Sequence, residues 1–519
     1  MDSTARDIIA LGRRGALRGG LAIAALAAMP GSLRGQVAGN PFSLGVASGD
    51  PWPDGVVLWT RLATDPLALG GGMGDAVVDL GWEVSADEGF RRILQSGTAR
   101  ATVDTGHAAH VVVAGLAPAR PYWYRFTARG AQSPVGRTRT APAPGDTPAR
   151  LRLVNAGCQM FEHGHFTAWR HVAAEAPLDA VFHYGDYIYE RGARAPGVRG
   201  WGPRVRDHLG GDCLTLADYR RRYAQYRAEP DLQAAHAAHP FIVTFDDHEV
   251  ENNWAATHSG RRDPEAMFLL RRAAAFQAWR ENMPVRTGFI PPGPGIAMHR
   301  RFGFGRLMTL HALDTRQYRD PQPCNDGFRP PCAEVARPDA QMLGAAQEAW
   351  LLDGIARAGT VWQVLGQQAM MMQRVRGGAV SMDSWDGYPA ARARLLAGLR
   401  DRRANAVVLT GDVHAAWAGT LRLDPDDPAS PAVASEFVGT SITSEGNGSE
   451  TVGNTDATLA ANPHIAFYNN RRGYTLLEAT PHRMEAVYRA VPFVTRPDAP
   501  LEDRGRFAVG PGRPEPRAV

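Results

Sequence analysis

Leu151-Arg-Leu-Val-Asn-Ala156 runs straight into Gly157-Cys158-Gln159, Ala180-Val-Phe-His-Tyr184 into Gly185-Asp186-Tyr-Ile-Tyr189-Glu190, and Phe241-Ile-Val-Thr-Phe245 into Asp246-Asp247-His248-Glu249. Each is a short apolar run, as expected of a strand buried on both faces, and each stops abruptly in residues that bind metals or carry protons. Leu307 to Leu313 leads in the same way to Asp314-Thr-Arg316, and Ala406 to Thr410 leads to Gly411-Asp412-Val-His414. Helical patterns fall between these runs, over Phe166 to Glu175, Leu216 to Ala228 and Met267 to Asn282. Strands alternating with helices predict an α/β layered core. In such sheets ligands sit beyond the carboxyl ends of the strands, where these polar clusters lie.

The pattern is different upstream. From Phe42 to about Thr140, alternating runs such as Gly55-Val-Val-Leu-Trp-Thr60, Ala76 to Val84, His110-Val-Val-Val113 and Tyr122-Trp-Tyr-Arg-Phe126 are broken by turn residues, which predicts a small all-β sandwich. Leu116-Ala-Pro-Ala-Arg-Pro-Tyr122 resembles the tyrosine corner of fibronectin type III domains. The proline-rich joint Ala141-Pro-Ala-Pro-Gly-Asp-Thr-Pro148 marks a boundary, so the sandwich is assigned to 39–141 and the layered domain to 148–492. Residues 493–519, rich in Pro, Arg and Gly, read as a C-terminal tail that is partly disordered or laid over the surface. Residues 1–38 read as an export signal. Arg13-Arg14 precedes an apolar run from Gly19 to Met29, too short to span a bilayer, and small residues come after it, with cleavage after Ala28 or Ala38. The paired arginines point to the twin-arginine translocase as a partner during export, and to a periplasmic or secreted protein.

Composition narrows the chemistry. All 57 basic residues are arginine, which excludes a Schiff-base lysine and a phosphate-loop lysine. A net charge of +4 over 519 residues leaves no nucleic-acid footprint. No Gly-x-Ser-x-Gly is present, which argues against a serine hydrolase. A cysteine hydrolase built on Cys158 would leave the strand-end Asp and Tyr residues unexplained, and a non-catalytic exported adhesin would leave all of them unexplained. Four cysteines are too few for a disulfide framework; Cys324 and Cys332, eight apart in a proline-rich loop of an exported chain, are expected to pair. Five strand ends that bring carboxylates to one edge need a cationic partner, and without lysine that partner is arginine or metal.

The blocks Asn155-Ala-Gly-Cys158-Gln159, Phe182 to Glu190, Asp246 to Trp254, Leu313 to Arg316, Met382-Asp383-Ser-Trp-Asp-Gly-Tyr388 and Leu409 to His414, with Phe42 to Pro51 before them, resemble in order those of the PhoD-like alkaline phosphatases. These belong to the calcineurin-like metallophosphoesterases and are related to the purple acid phosphatases. The resemblance implies a four-layer β-sandwich flanked by helices, preceded by the small fibronectin type III-like sandwich. It also implies an alkaline phosphatase or phosphodiesterase that holds Fe3+ with Ca2+ companions. Carried over by position, the metal ligands would be Cys158, Asp186, Tyr189, Asp247, Asn252, Asp383, Asp412 and His414. His248 would be the catalytic acid or a phosphoryl ligand, and Arg316 would hold a phosphate oxygen or form a structural ion pair. Asp412 stands where many relatives have histidine. A thiolate with a phenolate suits ferric iron, and extra carboxylates suit calcium.

The implied reaction is attack by a metal-activated hydroxide on phosphate monoesters or diesters, including phospholipid or teichoic-acid backbones, in phosphate acquisition. A monomer acting on a small-molecule or cell-envelope polymer ester is expected. The segment from Arg191 to Gly211 and the Cys324–Cys332 loop are candidates to cover the site.

Overall fold

Tyr122 closes the corner expected of it: its hydroxyl donates to the Ala117 carbonyl (3.1 Å) and accepts from the Ala117 N–H (2.9 Å). The structure, a computed structural model, describes residues 39–194, 202–286, 289–290 and 295–519. The proposed export signal lies outside the described residues. Among those described, no helix is long and apolar enough to cross a membrane.

Seven strands build the first domain: β1 (Val46–Trp52), β2 (Gly55–Arg61), β3 (Val78–Ser85), β4 (Ile93–Ala101), β5 (Ala108–Ala114), β6 (Pro121–Ala128) and β7 (Gly136–Arg139). They form two antiparallel sheets, β1–β2–β5 and β4–β3–β6–β7. Alternate residues such as Leu58, Val111, Leu80 and Tyr124 fill the space between the sheets. Edge strand β4 is mostly exposed and carries little apolar alternation, so it has no clear pattern in the sequence.

The next strands are β8 (Leu151–Ala156), β9 (Ala180–His183) and β10 (Pro240–Val243), all parallel. The joint at 141–148 divides the chain but not the sheets. Strand β1 lies parallel to β10, with Ser48 opposite Pro240 and Gly49 opposite Phe241. A Cβ on Gly49 would meet the Pro284 carbonyl oxygen at 2.3 Å and that of Phe241 at 2.5 Å, so this approach requires glycine. The small all-β sandwich expected ahead of the layered domain is present, and one of its sheets continues into the layered core.

Helices α1 (Thr167–Ala174), α2 (Leu216–Arg227), α3 (Pro230–Ala238) and α4 (Glu265–Asn282) cover the outer face of this sheet. The second sheet contains β11 (Arg300–Phe304), β12 (Met308–Ala312), β13 (Trp362–Gly366), β14 (Ala406–Thr410), β15 (Ala416–Arg422) and β16 (Ala432–Val438), and α5 (Ala345–Ala358) and α6 (Pro389–Asp401) cover its outer face. Successive residues point to different layers. Leu153, Phe182, Ile242, Val364 and Val407 meet between the sheets, whereas Val154, Val181 and Phe241 face one helical layer and Leu365 and Val408 the other. That arrangement is the α/β/β/α four-layer sandwich, and it explains why these strands read as continuous apolar runs.

Strand β17 (Ile465–Ala479) belongs to both sheets: its first half pairs with β15 and its second half with β8. Then β18 (Met484–Val491), β19 (Glu502–Gly510) and β20 (Arg513–Ala518) extend the first sheet by hairpins. Residues 493–519 are therefore not a loose tail. Their glycines, prolines and charges are what an outer strand carries to discourage pairing with other chains, which is why they resemble a loop in sequence.

Burial pushes the imidazoles of His239 and His311 down to about 4. The unfolded chain takes up these protons near the ordinary value of 6.5 and the folded chain only near 4. The folded state therefore keeps this stability above the unfolded value and loses it as the pH falls toward 4, by about 1.4 kcal/mol per pH unit for each ring. The thermal midpoint is expected to drop between about pH 7 and pH 5, less steeply in His311→Gln. An unchanged slope in that variant would contradict the assignment.

Candidate metal centre

Four of the strand-end residues have left-handed backbones: Cys158 (φ 51°), Asp186 (φ 54°), Asp412 (φ 66°) and His414 (φ 53°). For residues other than glycine this conformation costs of order 1–3 kcal/mol each, and it persists where the surroundings enforce it. The surroundings are visible. A Cβ on Gly157, Gly411 or Gly439 would fall within 2.4, 2.1 and 2.9 Å of the buried Tyr184 ring, whose hydroxyl donates to the Thr440 carbonyl at 2.8 Å. One tyrosine under three glycines lets three chain segments turn sharply over the same point.

The turns bring the donors together. Cys158, Asp186 and His414 place ligand atoms within 4.8 Å of one another, as do Asp186, Asp247 and His248, and also Asp246, Asp247 and Asp412. Tyr189 joins the first group: its hydroxyl donates to Asp186 Oδ2 (2.8 Å) and lies 3.2 Å from His414 Nε2 and 2.6 Å from Ser444 Oγ. Its ring packs against that of His248, with centroids 4.2 Å apart and planes tilted by 32°. His248 Nδ1 is held by Glu190 Oε2 at 2.7 Å, and His414 Nδ1 lies 3.3 Å from Glu445 Oε1.

The electrostatics are those of a site with surplus negative charge. Burial, and then Asp186, Asp412 and Asp246, push the Cys158 thiol well up. Burial, and then the neighbouring Asp383, raise Asp412 to about 7. Burial also raises Asp246 despite Arg316 beside it, and its Oδ2 has no hydrogen-bond partner. Burial works against the charged imidazoles, yet Asp247, Glu190 and Asp186 carry His248 up to about 10, and Asp186 with Glu445 carries His414 to about 9. Against burial, His248 and His414 hold Asp186 well down. A thiol, a phenol, imidazoles and more carboxylates than the nearby arginines can balance form a donor set that suits metal cations.

Arg316 takes the second of the two roles open to it, the structural ion pair. It is fully buried, donating from Nε to Asp246 Oδ1 (2.6 Å) and from Nη1 to Asp383 Oδ1 (3.0 Å), with Nη2 3.9 Å from Asp247. It is a buried counter-charge beneath the carboxylates and has no exposed face with which to hold a phosphate. Asp383 turns Oδ1 to Arg316, Arg319 and Gln322, leaving Oδ2 outside these bonds. Asn252 is half-buried, and its backbone N–H donates to Glu190. The next residue, Asn253, is the one bonded to Asp247 Oδ2 (2.7 Å), and its amide also reaches Asp326 (2.7 Å) in the loop closed by the Cys324–Cys332 disulfide.

Sequence reasoning missed Asp246, Glu190, Ser444 and Glu445. The first two sit inside the strand-end blocks and needed only the same strand-end logic. Ser444 and Glu445 lie in Gly439-Thr-Ser-Ile-Thr-Ser-Glu445, which comes after β16 but reads as an ordinary polar turn. Of the Arg191–Gly211 segment, residues 195–201 lie outside the described residues. Arg222 holds its two ends, donating to the Arg191 (2.7 Å) and Gly211 (3.2 Å) carbonyls.

The comparisons with known proteins bear on the family and the fold. Residues 153–488 match the model of the PhoD-like phosphatase, and residues 27–142 match that of the PhoD-like phosphatase N-terminal domain. The chain is 48% identical over 472 residues to alkaline phosphatase D of Bacillus subtilis (strain 168), covering 90% of this chain and 80% of that protein. A solved structure of PhoD superposes with a TM-score of 0.89 at 46% identity, covering 92% of each chain. A four-layer core with its donors at the strand ends, matched along nearly its whole length, places this chain in the PhoD-like phosphatase family.

Proposed function

We propose that the chain is an exported, metal-dependent phosphoric ester hydrolase that cleaves phosphate monoesters, diesters or both at alkaline pH, and that it serves phosphate acquisition. The observation that carries this is the convergence of three donor groups at the strand ends, with more buried acid than arginine to balance it, in a member of that family. Metal ions held there supply an acidified water and neutralise phosphoryl oxygens. Cys158, Asp186, Tyr189 and His414 would hold Fe3+, because a thiolate and a phenolate lie side by side. Asp247 and Asp412, with Asp246, would hold Ca2+ through hard oxygens. Asn252 and Asp383 would add an oxygen each.

The protein's own residues do the rest. Glu190 fixes His248 through Nδ1, so Nε2 is the atom left to carry a proton to the leaving oxygen or to grip a phosphoryl oxygen. The tilted packing against Tyr189 holds that ring in place. Arg316 holds Asp246 and Asp383 in position from below and, with Arg319, keeps Asp383 ionised. The chain is proposed to work as a monomer in the periplasm or outside the cell, after leaving through the twin-arginine translocase.

Metal analysis of the purified protein is expected to find about one iron per chain together with calcium, and a tyrosinate-to-iron band that colours it. Cys158→Ala is expected to lose the iron and the colour together, with activity on p-nitrophenyl phosphate and bis-p-nitrophenyl phosphate down at least about 100-fold. A colourless, active protein that holds zinc alone overturns the iron assignment. An inactive protein with its metals in place overturns the phosphoric ester reading.

A further inference from the structure

Beside the centre is a cavity of about 290 Å³ whose floor includes Val413 and Ala415, the residues on either side of His414. Its walls are aromatic. The rings of Trp417 and Tyr468 are 4.3 Å apart, and Phe328 is presented by the loop closed by the Cys324–Cys332 disulfide. Two guanidinium groups stand over these rings: Arg374 is 5.5 Å from the Trp417 centroid, and Arg376 is 4.9 Å from that of Phe328.

The surroundings of these two arginines set them apart. Arg316 and Arg319 at the centre are both tied to Asp383. Among the described residues, by contrast, neither the Arg374 nor the Arg376 guanidinium makes a hydrogen bond or an ion pair. The lining holds a single carboxylate, Glu445, which is engaged by His414 at 3.3 Å. The pair is also held in place. Arg376 and Ala379 exchange backbone hydrogen bonds of 2.9 and 3.1 Å across Gly377 and Gly378, and the following Val380–Ser381 strand pairs with Phe328–Arg329. Asp386 and Asp412 attract Arg374 from outside the lining, but among the described residues neither guanidinium bonds a carboxylate, so both remain available to an anion that enters the cavity.

Resting on the phosphoric ester reading, we propose that this cavity is a second anion subsite that takes a further phosphoryl group of the same substrate molecule, so that favoured substrates carry two phosphoryl groups. The guanidinium forks suit phosphoryl oxygens, and the aromatic wall suits the body of the molecule between the two groups.

The test uses the metal-loaded chain and p-nitrophenyl phosphate turnover, with adenosine 5′-phosphate and adenosine 3′,5′-bisphosphate as competitors. In the wild-type chain the bisphosphate is expected to compete about tenfold more strongly. In Arg376→Gln and Arg374→Gln that ratio is expected to fall to about one to three, and Arg376→Lys, which keeps the charge but not the fork, is expected to retain only part of it. The ratio is taken within each variant, so a general loss of turnover or of folded protein does not shift it, and the exposed Arg376 gives an answer even if Arg374→Gln folds poorly. Equal competition in the wild-type chain, or an unchanged ratio in both glutamine variants, overturns the proposal. A chain that hydrolyses no aryl phosphate fails the phosphoric ester reading itself. Normal hydrolysis with equal competition fails the second subsite alone.

Discussion

Asp186→Asn is expected to lower kcat/KM on p-nitrophenyl phosphate by at least about 100-fold and to strip metal from the protein. Asp186 belongs to two of the three donor groups, reaching Cys158 and His414 in one and Asp247 and His248 in the other. Its two oxygens are already divided, Oδ2 accepting from the Tyr189 hydroxyl (2.8 Å) and Oδ1 from the His248 backbone N–H (3.4 Å). Asparagine keeps the size but replaces one acceptor with a donor, which would oppose the Tyr189 hydroxyl or the His248 N–H, and it removes the negative charge shared by two sites. Metal content and steady-state kinetics measured on the same sample decide the matter. Full metal content with activity within about tenfold of wild type would mean that Asp186 does not bridge the groups.

The second large effect is on stability. Arg316→Met is expected to destabilise the fold by about 3–5 kcal/mol, because removing one partner of a buried pair leaves the other uncompensated. Here two partners, Asp246 and Asp383, lose their shared cation, and Arg319 can serve only Asp383. Arg316→Lys restores a charge but not the fork that reaches both carboxylates at once, so it is expected to recover the loss only in part. Denaturant unfolding of the metal-loaded protein measures the change. If Arg316→Met unfolds like wild type and alters only KM, then Arg316 touches substrate after all and its buried role is wrong.

The strands and their polar ends were legible because they obey one rule: a strand buried on both faces is uniformly apolar until it stops, and the residues just past its end face the site. That rule located Cys158, Asp186, Asp247, His248, Asp412 and His414, and the tyrosine corner was readable because its spacing is local. The features that were not legible depend on contacts between distant parts of the chain. Whether Arg316 faces substrate or a buried acid depends on Asp246 and Asp383, far away in sequence. Gly49 looks like any turn glycine until β10 is laid against it. Tyr184 reads as one more apolar strand residue, although it sets the turns at Gly157, Gly411 and Gly439. The last strands were missed because edge strands and loops share a composition.

Strand β17 bears on when the protein can become active. Asn155, at the end of the strand that leads into Cys158, lies opposite Thr475, and β15, which comes directly after His414, is held on the other half of the same strand. The proposed donors all precede this strand in the chain, so the loops that carry Cys158 and His414 are held on one frame only once residues 465–479 are in place. A product truncated before residue 465 is therefore expected to carry every proposed ligand and no working centre.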